Sequence, residues 1–349
     1  MMLDTSAAAT LALLERGVSE QLIGQRQVVM TTDQLLADTL QAKESIALRS
    51  DMTLAWDERS ASTAVLTSTP EQLAALRSTS ARPVEIMQSA PRVSRPELRS
   101  LPRLPSGRRG TEWLTAVDYA KEHGHILWCD DRILRAVARS QGVASFGTLA
   151  LIDACVQSNL MEPREGLVMK AELLRNYYVD IPFFADLYST AAQADGWQAT
   201  AVAVAVSRPG AWSDPQAAAA FVLNAASQTI GSLPHEASAW LSAAYAGLYR
   251  ATLPSHRPRN LQVLSWQVIT QPWVSASSLP FVLAGLHAGR EDVADTDAPL
   301  RAAITQYYGA LVDQFGHITA ASTLMSLFAL TEGEDKATAA RTVLTYLAR

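Results

Sequence analysis

The sequence predicts an α/β fold built on a parallel sheet, followed by a second, all-helical part. Three observations carry that expectation. Residues 125–135, His-Ile-Leu-Trp-Cys-Asp-Asp-Arg-Ile-Leu-Arg, run from a short apolar stretch straight into two carboxylates and an amphipathic segment. A buried strand that delivers acids to its carboxyl end reads this way, and open sheets bind ligands at that end. Met-Met-Leu-Asp-Thr-Ser at the start of the chain repeats the pattern around Asp4. After about Pro182 the strand pattern stops, and Ala- and Leu-rich amphipathic runs broken by Pro and Gly take over.

In chain order the expected elements are a strand at 1–4, helices at about 6–15 and 18–24, a strand from Val28 to Thr31 and a helix at about 33–49. Residues 55–110 are less regular. Ser-Thr-Pro-Glu-Gln at 68–72 looks like a helix start, and Val84 to Met87 reads as a short strand. Arg92, Arg95, Arg99, Arg103, Arg108 and Arg109 then face a lone Glu97 among prolines and glycines, which predicts a loop or mobile insert. Regular structure resumes with a helix at about 111–122, the strand 125–129 and a helix at 131–140 ended by Gly142. A strand from Val143 to Phe146 follows, then a helix with Thr148 as its cap. Strands alternating with helices predict parallel pairing. From Phe183 onward about eight helices are expected, with Trp197, Trp212, Trp240, Trp266 and Trp273 mostly in the core. No fixed repeat period is found, so a helical solenoid stays an open option.

At 349 residues the chain is long enough for two full cores, assigned to 1–182 and 183–349. Hydrophobic residues at 48% and charged residues at 18% describe a globular composition. The net charge of −5 argues against nucleic-acid binding by global charge and leaves a local basic groove open. The two cysteines, Cys129 and Cys155, imply neither a disulfide framework nor a zinc site and fit a reduced, cytoplasmic protein. No secretion signal is visible, and the most apolar run, Ala199 to Val206, is too short to span a bilayer, so no membrane role is expected. Asp4 leaves only Met1, Met2 and Leu3 for its strand; a short strand and a fragment of a longer chain both fit.

The candidate chemistry lies in Asp4, Asp38, Glu112, Asp130 and Asp131. Taken singly, Asp4, Asp130 and Asp131 make good helix caps, and Asp38 and Glu112 make ordinary solvated helix residues. Taken together they suit a divalent-ion site, because hard cations favour oxygen ligands and phosphodiester hydrolysis needs several carboxylates converging from different elements. No Gly-rich phosphate loop is present. Asp4 is followed by Thr5 and Ser6, so the second Asp that a haloacid-dehalogenase phosphatase needs is missing. His123 and His125 read as structural.

The order of these acids resembles the PIN-domain family of metal-dependent ribonucleases. Met-Met-Leu-Asp-Thr-Ser-Ala is similar to that family's opening strand with its first acid, Asp4. Val-Val-Met-Thr-Thr-Asp-Gln-Leu-Leu-Ala-Asp is similar to its second strand and helix, with Asp38 as the second acid and Asp33 as a rival. Glu112, with Asp118 as a rival, stands near the third acid. Leu-Trp-Cys-Asp-Asp-Arg resembles the late strand, with Asp131 as the last acid and Cys129 where that family has Thr or Ser. Gly142 to Ile152 resembles the closing strand and glycine turn, and Leu-Leu-Arg-Asn-Tyr-Tyr-Val the final helix.

The resemblance implies a PIN-like α/β sandwich in which Asp4, Asp38, Glu112 and Asp131 coordinate Mg²⁺ or Mn²⁺. Asp130 would be a further ligand or a supporting acid, and Ser6 and Thr148 would orient a carboxylate or phosphate. Arg132 and Arg135, with the 92–109 run, would meet an RNA substrate. The implied activity is endoribonuclease, in a toxin or anti-phage setting, with 183–349 regulating it, binding a protein partner or self-associating. The rival expectation is a catalytically weak PIN-like scaffold that works through the helical half.

Overall fold

Met2, Leu3, Leu127 and Trp128 have no exposed surface, and they are the residues of two neighbouring parallel strands, β1 (Met2–Leu3) and β6 (Leu127–Trp128). Burying apolar side chains on both faces stabilises by about 1.5–3 kcal/mol for each large residue, which explains why such short runs suffice as strands. The structure is a computed structural model that describes residues 1–24, 28–57, 62–101, 112–178, 181–296 and 298–347. Contacts divide the chain into two units, Met1–Met169 and Lys170–Arg349.

Between β1 and β6 the first unit carries α1 (Thr5–Ala12), α2 (Arg16–Gly24), β2 (Thr31–Thr32) and α3 (Asp33–Ala47). Then come β3 (Met52–Asp57), β4 (Ser62–Thr67), α4 (Pro70–Ser89), β5 (Arg92–Val93) and α5 (Thr115–His123). After β6 follow α6 (Arg132–Ser140), β7 (Ser145–Phe146) and α7 (Thr148–Gln157); α8 (Pro163–Arg175) carries the division between the units. Strands β1, β6 and β7 pair in parallel in the order β1-β6-β7, and β2 pairs in parallel with β5. A parallel bridge from Met2 to Met30, with Leu3 N donating to Met30 O at 2.7 Å, joins the two sets. The spatial order is therefore β5-β2-β1-β6-β7, with β1 in the middle.

The mixed α/β architecture with an N-terminal parallel sheet agrees with the sequence expectation. Residues 55–101 do not. They hold an antiparallel hairpin, β3–β4, and a helix of 20 residues, α4. Thr69 caps that helix, and Gln72 returns a hydrogen bond to the Thr69 N–H, so the 68–72 signal was a true helix start. Val84 to Met87, expected as a strand, lies inside α4, where Val84 and Met87 face the core. Pro83 within the helix made this stretch read as broken. The arginine run opens as β5 instead of a free loop, and Arg95 is buried. Arg103, Arg108 and Arg109 lie outside the described residues. The helix preceding β6 begins at Thr115, behind a 3-10 turn over Glu112–Leu114.

The second unit contains α9 (Ala185–Ala194), α10 (Ala201–Val206), α11 (Pro215–Thr229), α12 (Pro234–Ala251) and α13 (Arg257–Ile269). It continues with α14 (Leu279–Asp292), α15 (Pro299–Phe315), α16 (His317–Leu327) and α17 (Gly333–Leu347). No strand occurs here among the described residues. Packing often skips one helix: α10 lies on α12, α12 on α14, α13 on α15 and α15 on α17. The α12–α14 contact is close enough to demand glycine, since a Cβ on Gly285 would lie 2.5 Å from Ser238 O and one on Gly289 2.7 Å from Ser242 O. Of the five tryptophans, most of them expected in the core, Trp212 and Trp240 are buried, while Trp197, Trp266 and Trp273 are half-buried. No helix among the described residues is long and apolar enough to cross a membrane.

Candidate active site at the carboxyl ends of two parallel strands

The register of β1 against β6 pairs Leu3 with Trp128, so the residues that follow them leave the sheet side by side. Asp4 N donates to Trp128 O at 3.0 Å, which carries the ladder one residue past β1 and sets Asp4 beside Cys129. Parallel pairing thus brings two distant acidic segments, Asp4 and Asp130–Asp131, to one edge.

The hydroxyl of Ser6 joins them. Ser6 Oγ donates to Asp4 Oδ2 at 2.5 Å and accepts the backbone N–H groups of Asp130 and Asp131 at 2.9 and 3.0 Å. Ser6 N also donates to Asp4 Oδ2 at 2.9 Å, so Asp4 caps α1 while reaching across to the other strand end. Cys129 Sγ completes the cluster, 3.5 Å from Asp4 Oδ2 and 3.4 Å from Ser6 Oγ.

Asp130 is held from the opposite side. Thr148 N donates to its Oδ1 at 2.7 Å and Thr148 Oγ1 to its Oδ2 at 2.5 Å, while Trp128 Nε1 donates to Thr148 Oγ1 at 3.0 Å. Thr148 was expected as the cap of α7, but Gly147 holds the cap position and Thr148 is the first helical residue. A Cβ on Gly147 would lie 2.8 Å from both Asp130 Oδ1 and Arg135 Nη1, so glycine at 147 is what lets these two groups approach the turn. Arg135 is half-buried, with an Nε that has no hydrogen-bond partner. Arg132 is exposed at the first position of α6.

The other expected residues occupy different positions. Asp131 is exposed and caps α6, its Oδ1 accepting from Ile133 N at 2.7 Å and Leu134 N at 3.0 Å. Asp38 is half-buried on α3. Glu112 begins the 3-10 turn against which α3 packs, and its side chain lies outside the described residues. A 2.9 Å hydrogen bond between the hydroxyls of Thr32 and Thr115 ties the start of α3 to the start of α5, the helix that follows the turn bearing Glu112. Asp33 is exposed. Asp118 is fully buried and turned to another task. It accepts from Arg95 Nε at 2.6 Å and from the backbone N–H groups of Arg99, Ser100 and Leu101, pinning the start of the arginine segment to α5. Arg95 also pairs with Glu122. The lone basic run among prolines concealed this, because nothing local marks one arginine of six as internal.

Burial dominates the electrostatics. Asp4 is 5% exposed, and desolvation lifts its carboxyl above the ordinary value despite the hydrogen bonds from Ser6 and Cys129. Burial first, then the charge of Asp4, pushes the Cys129 thiol up to about 12, so it stays protonated. Asp118 goes the other way: burial works against its charge, but the N–H groups of Arg99, Leu101 and Ser100 and the Arg95 side chain hold its carboxyl below the usual range.

Among the described residues no three His, Cys, Asp or Glu side chains are gathered as a ready metal cage. The donor set nonetheless suits a hard divalent ion. Asp4 is a buried carboxylate whose described partners are neutral and whose charge form burial disfavours, an arrangement that a cation would relieve.

Residues 2–140 match the family model described as "PIN domain associated with the TPR-GreAB-C-PIN system". Comparison with curated proteins and with solved structures gives no match.

Proposed function

We propose that the protein is a metal-dependent endoribonuclease, because residues 2–140 match a PIN-domain family model, which suggests a nuclease-like fold. One observation carries the reading: a buried Asp4 linked through Ser6 Oγ to the Asp130–Asp131 turn at the carboxyl ends of adjacent parallel strands.

In this proposal Asp4, Asp38, Glu112 and Asp131 hold Mg²⁺ or Mn²⁺, with Asp130 as a further or supporting acid. A bound divalent ion supplies Lewis acidity and lowers the pKa of water, as hydrolysis of a phosphodiester requires. The chain's own residues do the rest. Ser6 sets the orientation of the Asp4 carboxylate, and Thr148 that of Asp130. Arg132 and Arg135, at the start of α6, offer positive charge to backbone phosphates, which makes RNA affinity fall with salt. The described family belongs to a TPR-GreAB-C-PIN system of conflict type. We accordingly infer a role as a toxin or anti-phage effector in the cytoplasm, with the helical part, assigned to 183–349, acting as the regulatory or partner-binding element.

A second reading has its own support. The Asp131 Oδ1 is engaged by two helix N–H groups, and no three-residue cage is gathered among the described residues. A catalytically weak PIN-like scaffold would look the same.

Cleavage of total RNA by purified protein in Mn²⁺ and in Mg²⁺ separates the two. Defined fragments that vanish with EDTA and in the Asp4→Asn, Asp131→Asn double variant establish the nuclease. Intact RNA in both ions, or cleavage that survives the double variant, favours the scaffold.

A further inference from the structure

The hairpin β3–β4 alternates by side. Met52, Leu54 and Trp56, at alternate positions of β3, stand on one face. Antiparallel register places Val65 opposite Leu54, Thr67 opposite Met52 and Thr63 opposite Trp56, all on the first face. Met52, Leu54, Trp56 and Val65 are 56%, 70%, 65% and 53% exposed. Among the described residues β3 and β4 pair only with each other. A two-stranded ribbon alone is marginal in water, and its apolar face gains stability only when something packs on it.

We propose that this face is an interface between two copies of the chain, which meet face to face about a two-fold axis. Charge selects the occupant. Among the described residues the face carries no Lys, Arg, Asp or Glu, whereas a single-stranded nucleic acid needs basic groups beside the aromatic on which its bases stack. An uncharged apolar face meets its own image without like-charge repulsion. Area points the same way. The four apolar side chains expose on the order of 500 Å², the scale of the largest patches on monomers. A two-fold contact uses the patch twice, about 1,000 Å² in total, which reaches the lower limit of a specific interface. Leu54, in the middle of the row, then lies near its symmetry mate. This surface is separate from residues 183–349, the part expected from sequence to self-associate, and it does not depend on the nuclease reading.

The test is light scattering of the full chain across a concentration series, with circular dichroism as a folding control. The wild-type chain should reach twice its monomer mass. Leu54→Glu and Leu54→Lys should each stay at the monomer mass with an unchanged helical signal, because Leu54 is not in the core. An equimolar mixture of the two variants should regain the dimer mass, since opposite charges then face each other. A wild-type chain that stays monomeric throughout, or a Leu54→Glu dimer as tight as wild type, overturns the proposal. So does a mixture that fails to pair, or a monomer that binds single-stranded RNA in a manner abolished by Trp56→Ala.

Discussion

Ser6 holds Asp4 at 2.5 Å with the same hydroxyl oxygen that accepts the backbone N–H groups of Asp130 and Asp131. One small side chain therefore sets the geometry between two strand ends that lie more than a hundred residues apart in sequence. Ser6→Ala removes the donor and leaves a part-buried carboxylate and two N–H groups without that partner. Its unfolding free energy in urea should fall by about 1–3 kcal/mol. RNA cleavage should drop by about 10- to 100-fold, the range seen when a residue that orients a metal-binding carboxylate is lost.

The raised pKa of Asp4 gives a signed pH dependence. Its folded-state value lies above the 3.8 of the free side chain, because burial disfavours the charge. The folded state thus binds the proton more tightly, and this contribution to stability is full below pH 3.8 and lost as pH rises through the folded value. At neutral pH in EDTA, Asp4→Asn should melt higher than wild type, and the gain should shrink on acidification. A lower melting temperature at neutral pH would contradict this account.

Divalent ions should reverse that order. Mn²⁺ should raise the melting temperature of the wild-type chain, and EDTA should abolish the gain. Asp4→Asn should show little response to the ion, as should Asp131→Asn. An equal rise in all three proteins would place the ion elsewhere.

Asp118→Asn should destabilise, by less than the about 3–5 kcal/mol of a fully stranded buried charge, since it removes one of the two counter-charges of Arg95 and leaves Glu122 as the other. The Asp118 carboxyl is held below 3.8, so wild-type stability from this pair is present above that value and lost as pH falls through the folded one. Urea unfolding of the two proteins from neutral to acidic pH should show the difference closing at the acid end.

Gly147→Ala tests the approach of Asp130 and Arg135 to the turn. The added Cβ would meet only the ends of two side chains. Stability should change by no more than about 1 kcal/mol, within the ordinary range of single substitutions. Cleavage should fall, because Asp130 must move off Thr148. Full activity in this variant would remove Asp130 from the working site.

Much of the parallel sheet was legible in the chain itself. Leu127-Trp128-Cys129 before Asp130 and Met2-Leu3 before Asp4 are short apolar runs closed by acids, and only a buried parallel strand makes that pattern common. Asp131 as the start of α6 and Thr69 as the start of α4 were also readable, because caps act over three or four residues. The hairpin was missed although Met-Thr-Leu-Ala-Trp-Asp alternates strictly, because its apolar face is exposed and no burial accompanies the pattern. Pro83 hid the continuity of α4 for a local reason: proline is rare inside helices, and only packing against α1 and α3 overrides that penalty.

The sequence by itself determined the fold class and the strand that precedes each acid, because these follow from periodicity and capping within short windows. Tertiary structure alone decided that Ser6 binds both strand ends, that Thr148 binds Asp130, and that Asp118 belongs to Arg95. These pairings depend on register between strands and on burial, and neither can be computed from neighbours in the chain.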